Sequence, residues 1–137
     1  GPFLPGKHKQ CITRAFEDTE ALDLMHMRYG DLSEGQKQRI MLAKVVAGKP
    51  GLAFLDEPTA SLDPSSTLAI ETAITAASAR GVKVILVTHD AGQARRLAND
   101  VVFIHQGRVA EHTGADAFFR RPVSTVARNY LAGKLVI

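Results

Sequence analysis

Apolar and polar positions alternate in blocks that read as helix and strand in turn. Ser33 with Gln36 three residues on is a capping box, each side chain satisfying the other's backbone N–H. The apolar positions Ile40, Met41, Leu42, Ala43, Val45, Val46 and Ala47 continue it as a helix, which stops at Gly48-Lys49-Pro50. Residues 51–55, bounded by Pro50 and Asp56-Glu57, form a short apolar run that predicts a buried parallel strand. Asp63-Pro64 supplies an N-cap and a first-turn proline. The helix it opens places Ile70, Ala73, Ile74 and Ala77 on one face and ends at Gly81. Residues 82–88 are a β-branched run, a second buried strand with His89 at its end.

Asp90 with Gln93 caps a helix to about Ala98, and residues 101–105 predict a third strand. Gln106-Gly107 turns it into a partner over 108–112. Thr113 with Asp116 is expected to start a short helix through Phe118 and Phe119, broken by Pro122, and residues 124–132 a last helix closed by Gly133. Upstream, residues 12–27 read as helical, with Ala15, Phe16, Leu22, Leu24 and Met25 available to pack, until Tyr29-Gly30-Asp31 breaks the pattern. Met25, Met27 and Met41 are core candidates. Residues 1–10 read as loop, and the opening Gly-Pro as the scar of a cleaved tag. Alternating strands and helices predict a parallel sheet with right-handed crossovers.

Composition narrows the class. With 137 residues, 45% hydrophobic and 23% charged, the chain suits one globular domain. Its longest apolar runs are too short for a bilayer, so no direct membrane insertion is expected. One cysteine, Cys11, fits a reducing compartment and argues against a disulfide framework. The net charge of +3 is mild and its basic residues are scattered, which argues against a nucleic-acid partner. Candidate chemistry lies at element ends. A helix start bearing Ser33 and Gly35 is a natural anion site, and Gly35 leaves room for another group to approach the backbone. Asp56 and Glu57 arrive at the C-terminal end of a strand, where open α/β sheets bind ligands.

These segments resemble the motifs of ATP-binding cassette (ABC) ATPases. Leu32-Ser33-Glu34-Gly35-Gln36 resembles the "LSGGQ" signature, and residues 52–57 resemble the Walker B strand with its glutamate. Ser61-Leu62-Asp63-Pro64 is similar to the D-loop, and Val87-Thr88-His89-Asp90 to the switch-histidine segment. The resemblance covers roughly residues 20–133 and implies an α/β, P-loop NTPase-like parallel sheet flanked by helices, with a remnant of the helical subdomain. It divides the chain into an arm or tag remnant (1–11), a partial helical subdomain with the signature helix (12–48) and the C-terminal part of the ATPase core (49–137). It also implies roles. Asp56 would hold Mg²⁺, mostly through water, Glu57 would be the general base, and His89 would contact the γ-phosphate of ATP. Ser33, Gly35 and Gln36 would close on nucleotide held by an opposite subunit, with Asp63 joining the two sites of a head-to-tail dimer.

Two departures stand out. Glu34 occupies a position that is usually glycine, and no Gly-x-x-x-x-Gly-Lys-Ser/Thr phosphate loop occurs. Three charge-assisted bonds at roughly 1.5–3 kcal/mol each amount to more than about 4 kcal/mol, or roughly a thousandfold in affinity. The 137-residue chain alone is therefore expected to be inactive, and a missing strand to leave an edge or apolar face open to self-association. The tail, with Phe118-Phe119 and Pro122, resembles that of bacterial importers, which implies a cytoplasmic subunit at the inner face of the membrane, bound to a permease. Two other readings are a non-transport ABC ATPase of the repair or ribosome-associated kind and a silent module lending its signature face to a partner.

Overall fold

The computed structural model describes Glu17, Leu24 and residues 26–136 of the 137-residue chain. The segment expected as an N-terminal arm lies outside the described residues, as does most of the helix expected over 12–27. The chain divides into two compact units, with the boundary between Val87 and Thr88.

In the first unit a 3-10 turn, Tyr29–Asp31, precedes helix α1, Glu34–Ala47. Strand β1, Leu52–Asp56, and helix α2, Pro64–Ala79, follow, and strand β2, Lys83–Val87, completes the unit. The two strands run parallel in register from Leu52↔Lys83 to Asp56↔Val87. α2 packs on β2 and on α1, and the apolar face read from its spacing is the buried one: Ile70, Ala73, Ile74 and Ala77.

Strand pairing decides which side of the sheet is open. Residues directly opposite in a parallel pair share a face. Leu52, Phe54, Ile85 and Val87 therefore lie together, and all four are exposed, Phe54 by 64%. Ala53 on the other face is buried and Leu55, Val84 and Leu86 are half-buried. The expectation of strands buried on both faces is thus corrected: one face is covered and the other is bare. Periodicity could not reveal this, because an apolar run looks the same whether one or two layers cover it. α1 is corrected in the same way. Ile40, Leu42 and Ala43 are buried, but Met41 and Val45 face out and Met27 is exposed.

The second unit begins at Thr88. Helix α3, Ala91–Leu97, leads to an antiparallel hairpin of β3, Asp100–His105, and β4, Arg108–Gly114. Its turn is Gln106-Gly107, both at positive φ (50° and 73°), as a two-residue hairpin of primed type requires. β3 pairs with β4, while the parallel pairing is between β1 and β2. A bulge after Phe103 shifts the register so that Phe103 faces Glu111 and Ile104 faces Val109. Helices α4, Ala115–Arg120, and α5, Thr125–Leu131, cover one face of the hairpin and leave Val102, Ile104 and Val109 exposed on the other. Thr113 does not start α4. It pairs with Val101 inside β4, and the cap position is Gly114, which has no side chain to offer.

The covered face is built from aromatic rings and one carboxylate. Phe103 stands 5.6 Å from Phe118 and 5.4 Å from Tyr130, and Arg95 of α3 lies over the Phe119 ring. Beside them Glu111, buried, accepts hydrogen bonds from the amides of Val123 and Ser124 (3.1 and 3.0 Å) and from the Ser124 hydroxyl (2.9 Å). The Ser124 amide above all, with the Val123 amide, the Ser124 hydroxyl and the Arg128 charge, holds this carboxyl below the usual glutamate range.

A carboxyl held low stabilises the fold fully above its unfolded value and loses that contribution as pH falls through the folded one. Urea unfolding should accordingly show Glu111→Ala costing about 2–4 kcal/mol at neutral pH. Glu111→Gln should flatten the loss of stability seen in wild type below about pH 4.3.

Candidate functional site

The N-terminus of α1 carries the first group of candidates. Ser33 is the exposed N-cap, and the capping box is complete: the Gln36 amide donates to Ser33 Oγ (3.2 Å) and the Ser33 amide to Gln36 Oε1 (2.9 Å). Two amides are thereby satisfied, and those of Glu34 and Gly35 remain at the positive end of a 14-residue helix. Lys37 pairs with Glu34 at 3.5 Å, an exposed contact that draws the acidic side chain along the helix surface.

Gly35 is buried, and the reason is a neighbour from the same chain. A Cβ built on it would stand 2.3 Å from Ser66 Oγ and 2.7 Å from Ser66 Cβ. Ser66 lies in the first turn of α2, whose N-cap is Asp63. Its amide donates to Asp63 Oδ2 at 3.2 Å, and hydrogen bonds from Ser66, hydroxyl before amide, hold the Asp63 carboxyl below the usual range. The fold thus brings Ser33, Gly35, Gln36 and Asp63 to two helix starts that touch through Ser66. Sequence reading missed Ser66, because nothing in its neighbours along the chain marks a contact with residue 35.

The carboxylates stand at the end of β1. Asp56 is its last residue, exposed, and opposite Val87. Glu57 extends the ladder by one bond, its amide donating to the Val87 carbonyl at 2.8 Å, and then turns the chain with φ 47°. A non-glycine residue in the left-handed region costs about 1–2 kcal/mol, and such strain is typical of functional loops. Ser61, at φ 62°, repeats it before α2 begins. The donor set suits Mg²⁺, which usually takes one or two carboxylates and fills its shell with water and phosphate oxygens. No group of three or more metal-ligating side chains occurs among the described residues.

His89 opens the second unit and is exposed. Its segment is tied down on both sides. The Asp90 amide donates to Thr88 Oγ1 at 3.0 Å, and Asp90 caps α3 by accepting from the Gln93 amide at 3.2 Å. The Tyr130 hydroxyl donates to the His89 carbonyl, a contact across 41 positions of sequence. Covalent connection sets His89 two residues beyond Val87, the register partner of Asp56. No helix among the described residues is long and apolar enough to cross a membrane.

Comparison with known proteins gives the following likenesses. Residues 7–60 match the ABC transporter family. Over 136 residues, 99% of the chain, it is 44% identical to a probable anion import ATP-binding protein of Haloferax volcanii, spanning 47% of that protein. Over 103 residues, 75% of the chain, it is 44% identical to a phosphate import ATP-binding protein, PstB 1, of Yersinia pestis, spanning 38% of it. The chain therefore spans less than half the length of these relatives. In fold it is similar to a chain of a metal-chelate type ABC transporter solved in an inward-facing conformation. The TM-score is 0.78 at 20% identity, over 96% of this chain and 51% of that one.

Because the tips of α1 and α2 meet at Gly35 and Ser66, Gly35→Ala should destabilise the first unit by about 1–3 kcal/mol, the usual range for overpacking. Ser66→Gly should restore part of that loss, read as a coupling energy in a double-mutant cycle by urea unfolding.

Proposed function

We propose, from the premise that this chain belongs to the ABC transporter family of ATPases, that it is the C-terminal part of an ATP-hydrolysing subunit powering import through a membrane permease. The observation that carries this reading is the exposed start of α1 built against the start of α2, one compact unit holding both the signature residues and Asp63. The import relatives support the direction of transport and a phosphate-like or other anionic cargo.

Each residue has a task that follows from its place. The Glu34 and Gly35 amides, the Ser33 hydroxyl and the dipole of α1 stabilise negative charge on a γ-phosphate presented by a second, head-to-tail subunit. Asp63, held at the start of α2 by its bond from the Ser66 amide, joins the two sites across that dimer. Asp56, exposed at the strand end, would help to hold Mg²⁺. When bound, the ion neutralises charge on the β- and γ-phosphates. Glu57 takes a proton from the attacking water, and His89 contacts the γ-phosphate of the nucleotide in its own subunit. The 137-residue chain has no phosphate loop, so by itself it grips ATP weakly and does not turn it over.

The bare sheet face suits a further contact. Leu52, Phe54, Ile85 and Val87 form an apolar patch beside a strand edge, and two such patches bury each other when copies meet.

Calorimetry on the chain alone should show no micromolar MgATP binding. A chimera that places a phosphate-loop-containing half of an ABC ATPase before this chain should hydrolyse ATP. In it, Glu57→Gln should lower kcat by about 10²–10⁴-fold and spare nucleotide binding, and His89→Ala should also lower kcat. An unchanged rate in either variant would sink the role given to that residue. Light scattering should detect association of the chain alone at high concentration, reduced by Phe54→Lys.

A further inference from the structure

We propose that Tyr130 is a positioning residue for His89, and that Glu111 anchors the helix that carries it; the inference rests on the reading of His89 as the γ-phosphate contact. His89 lies in no regular element. The bonds around it from Thr88 and Asp90 span two or three residues, so they shape the turn without fixing its direction. The Tyr130 hydroxyl reaches the His89 carbonyl from the far end of the chain. Holding that carbonyl fixes the peptide plane after His89, and with it the direction from which the Cα presents the imidazole.

A tie is only as firm as the body behind it, and Tyr130 is well founded. Its ring rests on Phe103, which also meets Phe118. The start of its helix is held by the buried Glu111 carboxylate, which takes the Val123 and Ser124 amides and the Ser124 hydroxyl. Ser124 in turn accepts from the Ala127 amide, and Arg128 donates to the Val123 carbonyl at 2.9 Å. Glu111 sits opposite Phe103 in the hairpin register, so carboxylate and ring act from the same face of β3 and β4. The hairpin and the last helix thereby form a frame that reaches back to the catalytic segment.

Tyr130→Phe keeps the ring and removes the donor. In NMR of the full 137-residue chain it should move the His89 carbonyl ¹³C resonance. It should speed amide exchange at residues 89–91 roughly two- to tenfold, the size of one net hydrogen bond, and leave exchange in β3 and β4 as in wild type. Ser124→Ala, which loosens the anchor and leaves the hydroxyl of Tyr130, should produce a smaller change at the same residues. An unmoved His89 carbonyl in Tyr130→Phe, or faster exchange spread evenly through the hairpin, would overturn the proposal. Failure of the functional reading is distinguishable: the chimera's His89→Ala variant would then hydrolyse ATP at the wild-type rate, whatever the carbonyl resonance does.

Discussion

Residue 35 is a point at which the first unit admits no side chain, and the path of the chain explains why. From Ser33 the backbone runs down the 14 residues of α1, about 21 Å at 1.5 Å each. β1 adds five residues, about 17 Å at 3.3 Å each, and residues 57–63 connect it to α2. α2 packs on α1 so that its first turn brings Ser66 against Gly35. The loop that carries Asp56, Glu57 and Asp63 hangs from that closure. Its two left-handed residues, Glu57 and Ser61, turn the chain tightly enough to complete it.

Among the described residues, four helices open in the same way, with Ser33, Asp63, Asp90 and Ser124 each accepting from the amide three positions on. The device has more than one use here. At Ser33 and Asp63 it sets a hydroxyl and a carboxylate beside the positive ends of two helices. At Ser124 it continues into Glu111, so a local cap becomes a long-range anchor. At Asp90 it sits one residue after His89 and, with Tyr130, defines how that histidine leaves the backbone. Polar side chains of an ordinary kind therefore set both the local helix starts and the long-range anchors.

Asymmetry of cover is the other theme. In each unit helices shield one face of a two-stranded sheet and leave apolar residues on the opposite face: Leu52, Phe54, Ile85 and Val87 in the first, Val102, Ile104 and Val109 in the second. Burial of this kind is worth about 25 cal/mol per Å² of apolar area, so bare faces of this composition favour whatever layer can cover them.

The amino-acid sequence by itself determined the helix caps at Ser33, Asp63 and Asp90, the Gln106-Gly107 turn, the inward face of α2 and the identity of the motifs. Each of these depends on residues within about four positions of one another, where chain geometry alone decides who can meet. Thr113 was the exception among caps, because pairing with Val101 across the hairpin outweighed its local preference. Tertiary structure decided the rest: that Gly35 makes way for Ser66, that Glu111 holds Ser124, that Tyr130 reaches His89, and that one side of β1 and β2 lies bare. Such contacts join residues 13 to 41 positions apart, and no local pattern encodes which distant side chain a folded backbone will deliver.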